Sequence, residues 1–242
     1  MEFLIVFLVS AFAALMQAAV GFGFAVLFTP LLSLAMPARD AIALSLLLSM
    51  SLSLTLYLGD RPRAPFRTIL PMFAAATVVT PLGFYVLVVA DDQLLRIGIG
   101  VSVLIAVIGT IATPHPAQER REVLPVVLGV GVLSGLLRGA TSMGGPPVVL
   151  YEHWRGASMM EIRRRLLAFF ALTGVTGAAF AVATGVFTGE MVVHSLAGLP
   201  AIAIAVVGGR LIRPRLSPRW FRILSMGLLV FTGLVSIVAA LR

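Results

Sequence analysis

The stretches that decide the fold are QAAVGFG at residues 17–23 and RGATSMGGPP at residues 138–147. Each interrupts a long apolar run near its middle, 2–36 in the first case and 123–151 in the second. About 20 residues suffice for a helix to cross the hydrocarbon core of a membrane, so each run is long for one helix. Glycine lets the backbone turn tightly, and proline suits the first turn of a helix, where an amide is unpaired anyway. In both runs the pattern predicts a helix, a non-helical break and a second helix.

The two breaks occupy matching places in the two halves of the chain. Gly23 and Gly144 lie 121 residues apart in a chain of 242. Three further apolar runs follow each broken segment, at 41–58, 67–90 and 94–113 in the first half and at 163–184, 190–209 and 220–241 in the second. We therefore predict an all-α integral membrane protein with two four-segment repeats, 1–118 and 119–242. Broken helices at corresponding positions of two halves are typical of transporter binding sites.

Composition excludes most other classes of protein. Apolar residues make up 60% of the chain, charged residues 12%, and the mean hydropathy is +1.07, which is unlike a soluble domain. The 18 basic residues are all arginines and mostly lie between apolar runs. Anionic lipid headgroups and membrane topology explain them better than nucleic acid does. We predict a multi-pass protein of a bacterial inner membrane, with anionic lipids at its arginine-rich face and no nucleic-acid partner.

Few residues suit enzymatic chemistry. The three histidines are dispersed without the spacing of a metal site, and cysteine is absent. No phosphate-binding or dinucleotide fingerprint occurs in a usable context. We therefore predict no metal, no cofactor and no enzymatic activity, while the number of subunits is left open.

Arginine placement predicts how the broken segments sit in the membrane. If every apolar run crosses the bilayer, the arginines divide 11 to 6 between the two faces. If each broken segment instead returns to the face from which it enters, the connectors around 61–67, 120–121, 155–165 and 210–222 share one face with 14 arginines, against 3 on the other. The second arrangement satisfies the positive-inside rule better. It predicts two inverted repeats with re-entrant broken segments and both termini outside the cytoplasm.

The breaks themselves are the predicted substrate site. Returning helices that begin near Phe24 and Pro146 would point their N-termini at the protein centre, where free amides and a partial positive charge favour an anion. The alternative is that the glycines only allow close helix packing. The predicted substrate-binding residues are Gln17, Gly21, Phe22, Gly23, Arg138, Ser142, Met143, Gly144, Gly145 and Pro146.

Arg138 is the one charged residue deep inside an apolar run. Such an arginine costs roughly 2.5–3.5 kcal/mol on insertion scales, and no acid at similar depth offsets that cost. We predict that a small anionic substrate is its partner; the alternative is that its side chain extends to the cytoplasmic face. Gln17 occupies the equivalent place in the first half, so the site would hold a single fixed positive charge.

Hydroxyl side chains suggest a hydrated path beside the breaks. Ser45, Ser49 and Ser53 follow helical spacing on one face of the 41–58 run, and Thr173 and Thr176 lie on the equivalent run. We predict that these five residues line the pathway. The alternative is that each hydroxyl only bonds a carbonyl of its own helix.

These features together resemble the TauE/SafE sulfite exporter family. The resemblance rests on the four-plus-four layout, on 17–23 followed by Thr29-Pro30, on 138–147 and on the helix start between Pro37 and Ser45. The first break is Gly-Phe-Gly-Phe, where many relatives have consecutive glycines. The resemblance implies export of small sulfur-containing oxyanions such as sulfite or an organosulfonate, with alternating access around the two breaks. The alternatives are a permease for another small solute, with Arg138 structural, and a membrane scaffold that transports nothing.

Overall fold

The computed structural model describes residues 2–112, 120–212 and 227, and within them the protein is entirely helical, with nine helices and no strand. The helices are α1 (Glu2–Val20), α2 (Phe24–Leu32), α3 (Ala38–Gly59), α4 (Phe66–Val89), α5 (Asp92–Ala112), α6 (Leu124–Thr141), α7 (Gly145–Arg155), α8 (Met159–Ala183) and α9 (Gly189–Ile212). The predicted helix at 220–241 falls outside the described residues, apart from Gly227.

Six of these helices have the length and hydropathy to cross a membrane. They are α1, α3, α4, α6, α8 and the Met191–Ile212 part of α9. The helices α2 and α7 are much shorter, at 9 and 11 residues. The all-α membrane architecture predicted from the hydropathy pattern is therefore confirmed.

Both predicted breaks are present, but they are off-centre. The first separates 19 residues of α1 from 9 of α2, and the second separates 18 residues of α6 from 11 of α7. At 1.5 Å per residue the first member of each pair is about 27–29 Å long, close to the thickness of the hydrocarbon core. Each broken segment is thus a nearly full-length helix followed by a half-length one.

Glycines on α6 bring its backbone against α4. A Cβ atom at Gly131, Gly135 or Gly139 would lie 2.2–2.5 Å from a carbonyl oxygen of α4, that of Met72, Ala76 or Thr80 in turn. The contacting residues advance by four positions in both helices at each step. The two helices therefore run parallel and in register. Small residues at such spacing allow helices to approach closely in a membrane.

The pair formed by α1 and α9 repeats this arrangement. A Cβ atom at Gly198 would lie 3.0 Å from Ser10 Oγ, and one at Gly209 would lie 2.3 Å from Ala18 Cβ. These two helices are therefore also parallel, with glycines of α9 against small residues of α1. Since α1 and α6 start the two halves, each broken segment packs on a helix of the opposite half.

The central pair is α3 and α8, which run antiparallel. Gly174 of α8 packs against Met50 of α3, whereas Arg163 near the start of α8 pairs with Asp60 just after α3, with 3.0 Å between Arg163 Nε and Asp60 Oδ2. An apolar core formed by buried residues of several helices surrounds this crossing. The two halves consequently meet along a shared interface through the middle of the molecule.

One end of the bundle is rich in arginine. The Asp60–Arg163 pair lies at this end and joins the end of α3 to the start of α8. The Arg120 amide also donates a hydrogen bond of 2.8 Å to the Arg155 carbonyl oxygen. Because Arg120 precedes α6 and Arg155 ends α7, the two ends of the second broken segment lie side by side at this end.

The opposite end holds the ends of the first broken segment. Glu2 at the start of α1 lies 3.3 Å from His194 of α9, and Arg96 of α5 donates to the carbonyl oxygen of Ser33 just after α2. Phe84 near the end of α4 contacts Phe180 near the end of α8, with 6.3 Å between ring centroids. Since α5 follows α4 and α9 follows α8, that contact places the starts of α5 and α9 at the same end of the bundle. Both ends of the first broken segment contact these two helices near their starts, so they lie at this end as well.

Candidate functional site

A small cavity lies between the two breaks, in the middle of the bundle. Its volume is about 20 Å³, which is enough for roughly one water molecule. The walls come from both broken segments together with α3 and α8. The lining residues are Gln17, Gly23, Phe24, Ala25, Val26, Ser49, Ser53, Arg138, Ser142, Met143, Gly145 and Phe170.

Gln17 links three elements at the first break. Its Nε2 donates to Ser53 Oγ of α3 at 2.9 Å, and its Oε1 accepts the first amide of α2, that of Phe24, at 3.2 Å. Gly23 precedes this amide in a left-handed conformation, with φ of 111°, which glycine adopts without the steric cost that a Cβ imposes. A buried side-chain amide therefore holds the turn from α1 into α2.

The residues of the first turn of α2 line the cavity. Phe24 already donates its amide to Gln17, and the first intrahelical bond runs from the Leu27 amide to the Gly23 carbonyl oxygen at 3.0 Å. The amides of Ala25 and Val26 lie between these two and belong to residues that line the cavity. Unpaired amides at a helix N-terminus carry a partial positive charge, so this wall favours an anion.

Arg138 supplies the fixed charge of the site. Its side chain is 4% exposed, and its Nε donates to the carbonyl oxygen of Thr173 at 3.0 Å. Thr173 lies in the middle of α8, so the guanidinium stays in the interior and does not extend to the membrane face. Its Nη2 is buried without a hydrogen-bond partner, and no acidic residue is among the described residues that line the cavity. One strong donor of this cation is therefore unused.

The second break is held in shape by serine hydroxyls. Ser142 has a left-handed backbone, with φ of 65°, which is uncommon outside glycine. Its Oγ donates to Ser45 Oγ of α3 at 3.0 Å, and Ser134 Oγ donates to the Gly144 carbonyl oxygen. A Cβ atom at Gly144 would lie 2.8 Å from the Ser134 carbonyl oxygen. The prolines that follow occupy the first turn of α7, as the sequence predicts.

The structure places about half of the predicted residues on the cavity wall. Eight of them line it: Gln17, Gly23, Ser49, Ser53, Arg138, Ser142, Met143 and Gly145. Their role in substrate binding stays a prediction. Seven others lie off the wall: Gly21, Phe22, Ser45, Gly144, Pro146, Thr173 and Thr176.

Most residues off the wall have another contact. Gly21 packs on Arg163, whose Cγ would lie 2.8 Å from an added Cβ. Phe22 is buried in an apolar cluster with Tyr151 of α7. The Thr173 and Thr176 hydroxyls donate to carbonyl oxygens of their own helix at 2.8 and 3.3–3.4 Å. For the two threonines the geometry matches the alternative in which membrane hydroxyls only satisfy their own helix.

Sequence similarity identifies the family of this chain. The sequence profile of the family described as "Sulfite exporter TauE/SafE" matches residues 6–236. The chain belongs to the sulfite exporter TauE/SafE family. It is therefore a multi-pass membrane protein of a transporter family, as the sequence predicts, and transport rather than enzymatic catalysis is what membership implies.

One curated relative of this TauE/SafE chain comes from Cupriavidus necator and is named "Probable sulfite/organosulfonate exporter TauE". The two sequences are 26% identical over 140 residues, which cover 58% of this chain and 54% of the relative. The match thus spans about half the length of that relative. No solved structure matches the chain.

Four lining residues of this TauE/SafE protein were missed by the sequence analysis: Phe24, Ala25, Val26 and Phe170. The first three form the turn that follows the predicted break. Phe170 lies 121 residues after Ser49, which was predicted, so the repeat offset could have identified it. Lining residues 121 apart also include the pair Gln17 and Arg138 and the pair Phe24 and Gly145. The cavity wall therefore carries the same internal repeat as the sequence.

Proposed function

We propose that this protein exports a small, singly charged sulfur oxyanion, such as hydrogen sulfite or an organosulfonate, across a bacterial inner membrane. The observation that carries the proposal is Arg138, a buried cation that lines a cavity between two helix breaks and keeps Nη2 unpaired. A buried charged donor without a partner is costly. A bound oxyanion supplies the missing acceptor.

The other walls of the cavity suit the same class of substrate. A guanidinium can bind two oxygens of a sulfite or sulfonate group with two of its N–H groups. The Ala25 and Val26 amides add uncharged donors on the facing side. Phe24, Met143 and Phe170 provide apolar surface for the carbon part of an organosulfonate. The name of the relative from Cupriavidus necator supports this substrate class.

We further propose that transport proceeds by alternating access between two inverted repeats with re-entrant broken segments. The antiparallel crossing of α3 and α8 supports this, as does the matching of the α1–α9 and α6–α4 pairs. The cavity has room for about one water molecule, so the described conformation is closed around the site. A substrate enters only when the breaks separate toward one face.

The rival functions leave Arg138 unexplained. A permease for a neutral or cationic solute would place that solute beside an uncompensated cation. A membrane scaffold would have no need for a polar cavity in the middle of its bundle. Neither accounts for a buried arginine that bonds only one backbone carbonyl among the described residues.

A binding screen of purified protein tests the proposal. Sulfite, sulfoacetate and taurine are compared with a cationic amine, in wild-type protein and in Arg138→Ala, Arg138→Lys and Arg67→Ala. Arg138→Ala should weaken anion binding by about 1.5–3 kcal/mol, because a charged hydrogen bond is lost. Arg138→Lys should recover part of that, since an ammonium lacks the planar pair of donors.

Arg67→Ala is the matched control, because Arg67 is exposed at the arginine-rich end and lies off the cavity wall. It should bind anions like the wild type. Unchanged anion binding and transport in a folded Arg138→Ala protein would make Arg138 structural and contradict the proposal.

A further inference from the structure

A second polar cavity lies at the arginine-rich end, and none of its described lining residues lines the cavity between the two breaks. Its volume is about 390 Å³, and it lies between the connector that precedes α4 and the start of α8. Its polar lining residues are Arg63, Thr68, Ser158, Glu161, Arg164 and Arg165. We call it the connector pocket. Both α4 and α8 begin beside it, so two helix N-termini add partial positive charge.

Arg165 is the buried member of this pocket. It is 4% exposed, its Nε lies 2.7 Å from Glu152 Oε1, and its Nη1 lies 2.7 Å from Glu122 Oε1. Its Nη2 is also buried and has no hydrogen-bond partner. One donor of a buried guanidinium is thus unsatisfied in a residue that lines the pocket.

Arg164 adds an uncompensated charge. It is half-buried, and it forms no hydrogen bond or ion pair with the described residues. Glu161, the only acid among the described lining residues, already pairs with Arg155, at 2.5 Å between Glu161 Oε1 and Arg155 Nη2. Arg63 donates hydrogen bonds from its Nε and Nη2 to the carbonyl oxygens of Tyr57 and Leu58. Its main contribution to the pocket is therefore its positive charge.

We propose that the connector pocket binds a phosphate-type oxyanion, either free phosphate or the phosphodiester of an anionic lipid. Such a group has several acceptor oxygens, and these satisfy the unpaired Arg165 donor together with the Arg164 guanidinium, which has no partner among the described residues. Basic pockets between transmembrane helices are suited to lipid headgroups, and free phosphate offers the same chemistry. This site is separate from the transport cavity and does not depend on the identity of the transported substrate.

The test compares wild-type protein with Arg164→Ala and Arg67→Ala. Both variants lose one arginine at the same end of the molecule, but Arg67 is exposed and does not line the pocket. Arg164 is chosen over Arg165 because Arg165 holds two ion pairs whose loss could impair folding. One arm titrates inorganic phosphate at constant ionic strength in neutral detergent and follows the thermal unfolding midpoint. The other arm measures retention of phosphatidylglycerol by native mass spectrometry, with phosphatidylcholine as the reference lipid.

Saturable binding in at least one arm, weakened about tenfold or more by Arg164→Ala and unchanged by Arg67→Ala, is the expected result, because one charge-assisted contact is lost. Response to phosphate alone identifies a soluble anion, and response to phosphatidylglycerol alone identifies a lipid headgroup. Equal effects of the two variants, or no saturable response of the wild type in either arm, would overturn the proposal. A sulfite-binding assay on the same samples keeps this outcome separate from that of the transport cavity.

Discussion

Gln17 and Arg138 occupy equivalent positions in the two halves, yet only one of them is charged. Both line the cavity, and each bonds a neighbouring helix, Gln17 through Ser53 and Arg138 through the Thr173 carbonyl oxygen. A cavity with one cation and one amide can neutralise one negative charge and no more. Under the proposed function, the difference between these two side chains sets which charge state of an oxyanion is favoured.

This asymmetry predicts that the charge can be moved from one half to the other. Arg138→Gln alone should lose about 1.5–3 kcal/mol of anion binding. The double variant Gln17→Arg/Arg138→Gln should regain much of it, because the cation returns to the same cavity from the opposite wall. Calorimetric titration with sulfite measures both.

Gln17→Arg alone serves as the companion variant. With two cations in the cavity it should bind sulfate, a dianion, more tightly relative to methanesulfonate than the wild type does. A double variant no better than Arg138→Gln, in protein that remains folded, would contradict the equivalence of the two positions.

The place of some residues on the cavity wall could be predicted from the sequence, and the contacts of others could not. Arg138 was identifiable because it is a lone charge in an apolar run, and Gln17 because it lies 121 residues earlier. The contact of Gly21 with Arg163 was not, since it depends on a tertiary packing of residues 142 positions apart. The sequence shows which residues are polar, but not which way a hydroxyl such as that of Thr173 points.

At the scale of helices, glycine acts in two ways. At the first break it adopts backbone conformations that would strain a residue with a Cβ atom, whereas in α6 it permits close contact with α4. Gly129 and Gly135 lie in the same helix, but an added Cβ meets nothing within 4 Å at Gly129 and lies 2.2 Å from the Ala76 carbonyl oxygen at Gly135. The same residue type is therefore dispensable at one position and required at the other.

Alanine substitutions separate these two cases. Gly135→Ala should destabilise the protein by about 1–3 kcal/mol, because the helices must move apart to accommodate the methyl group. Gly129→Ala should be neutral or stabilising by up to about 1 kcal/mol, since alanine favours helix more than glycine does. Thermal unfolding midpoints in detergent give the comparison, and equal midpoints for the two variants would argue against close α4–α6 packing.

The breaks and the residues at which they fall were predictable at this scale, but the ends of the short helices that follow them were not. Glycine and proline mark where a helix can stop, so the starts of α2 and α7 agree with the sequence to within one residue of Phe24 and Pro146. The unequal lengths of α1 and α2 depend on where the neighbouring connectors lie. Hydropathy is the same on both sides of Gly21 and contains no such information.

For the whole molecule, the proposed topology can be checked with single cysteines, because the chain contains none of its own. Asp91 and Arg67 are exposed at opposite ends of the bundle. We expect Asp91→Cys to react with an impermeant maleimide added outside intact cells, and Arg67→Cys to react only after lysis, as the positive-inside rule requires. Labelling of both from outside would refute the inverted-repeat proposal.

The driving force for transport is also a property of the whole molecule. Proton relays within membranes use buried carboxylates or histidines, and none lines the cavity in the described part of the chain. An inside-negative potential drives a monovalent anion outward with about 2.3 kcal/mol per 100 mV. We therefore expect efflux from loaded proteoliposomes to follow a potential set by potassium and valinomycin. Efflux that ignores the potential but follows a pH gradient would contradict this.

The parallel pairs α1–α9 and α4–α6 also determine the order in which the chain can assemble. Each pair joins an early helix to one made later, and α1 must wait for nearly the whole chain before the ribosome delivers α9. Until then its small-residue face remains open to lipid or to the insertion machinery. Fragments split between residues 112 and 120 should consequently be degraded when produced alone and recovered together when produced in one cell. We therefore expect the packing of α1 in this transporter to be completed only after α9 has been synthesised.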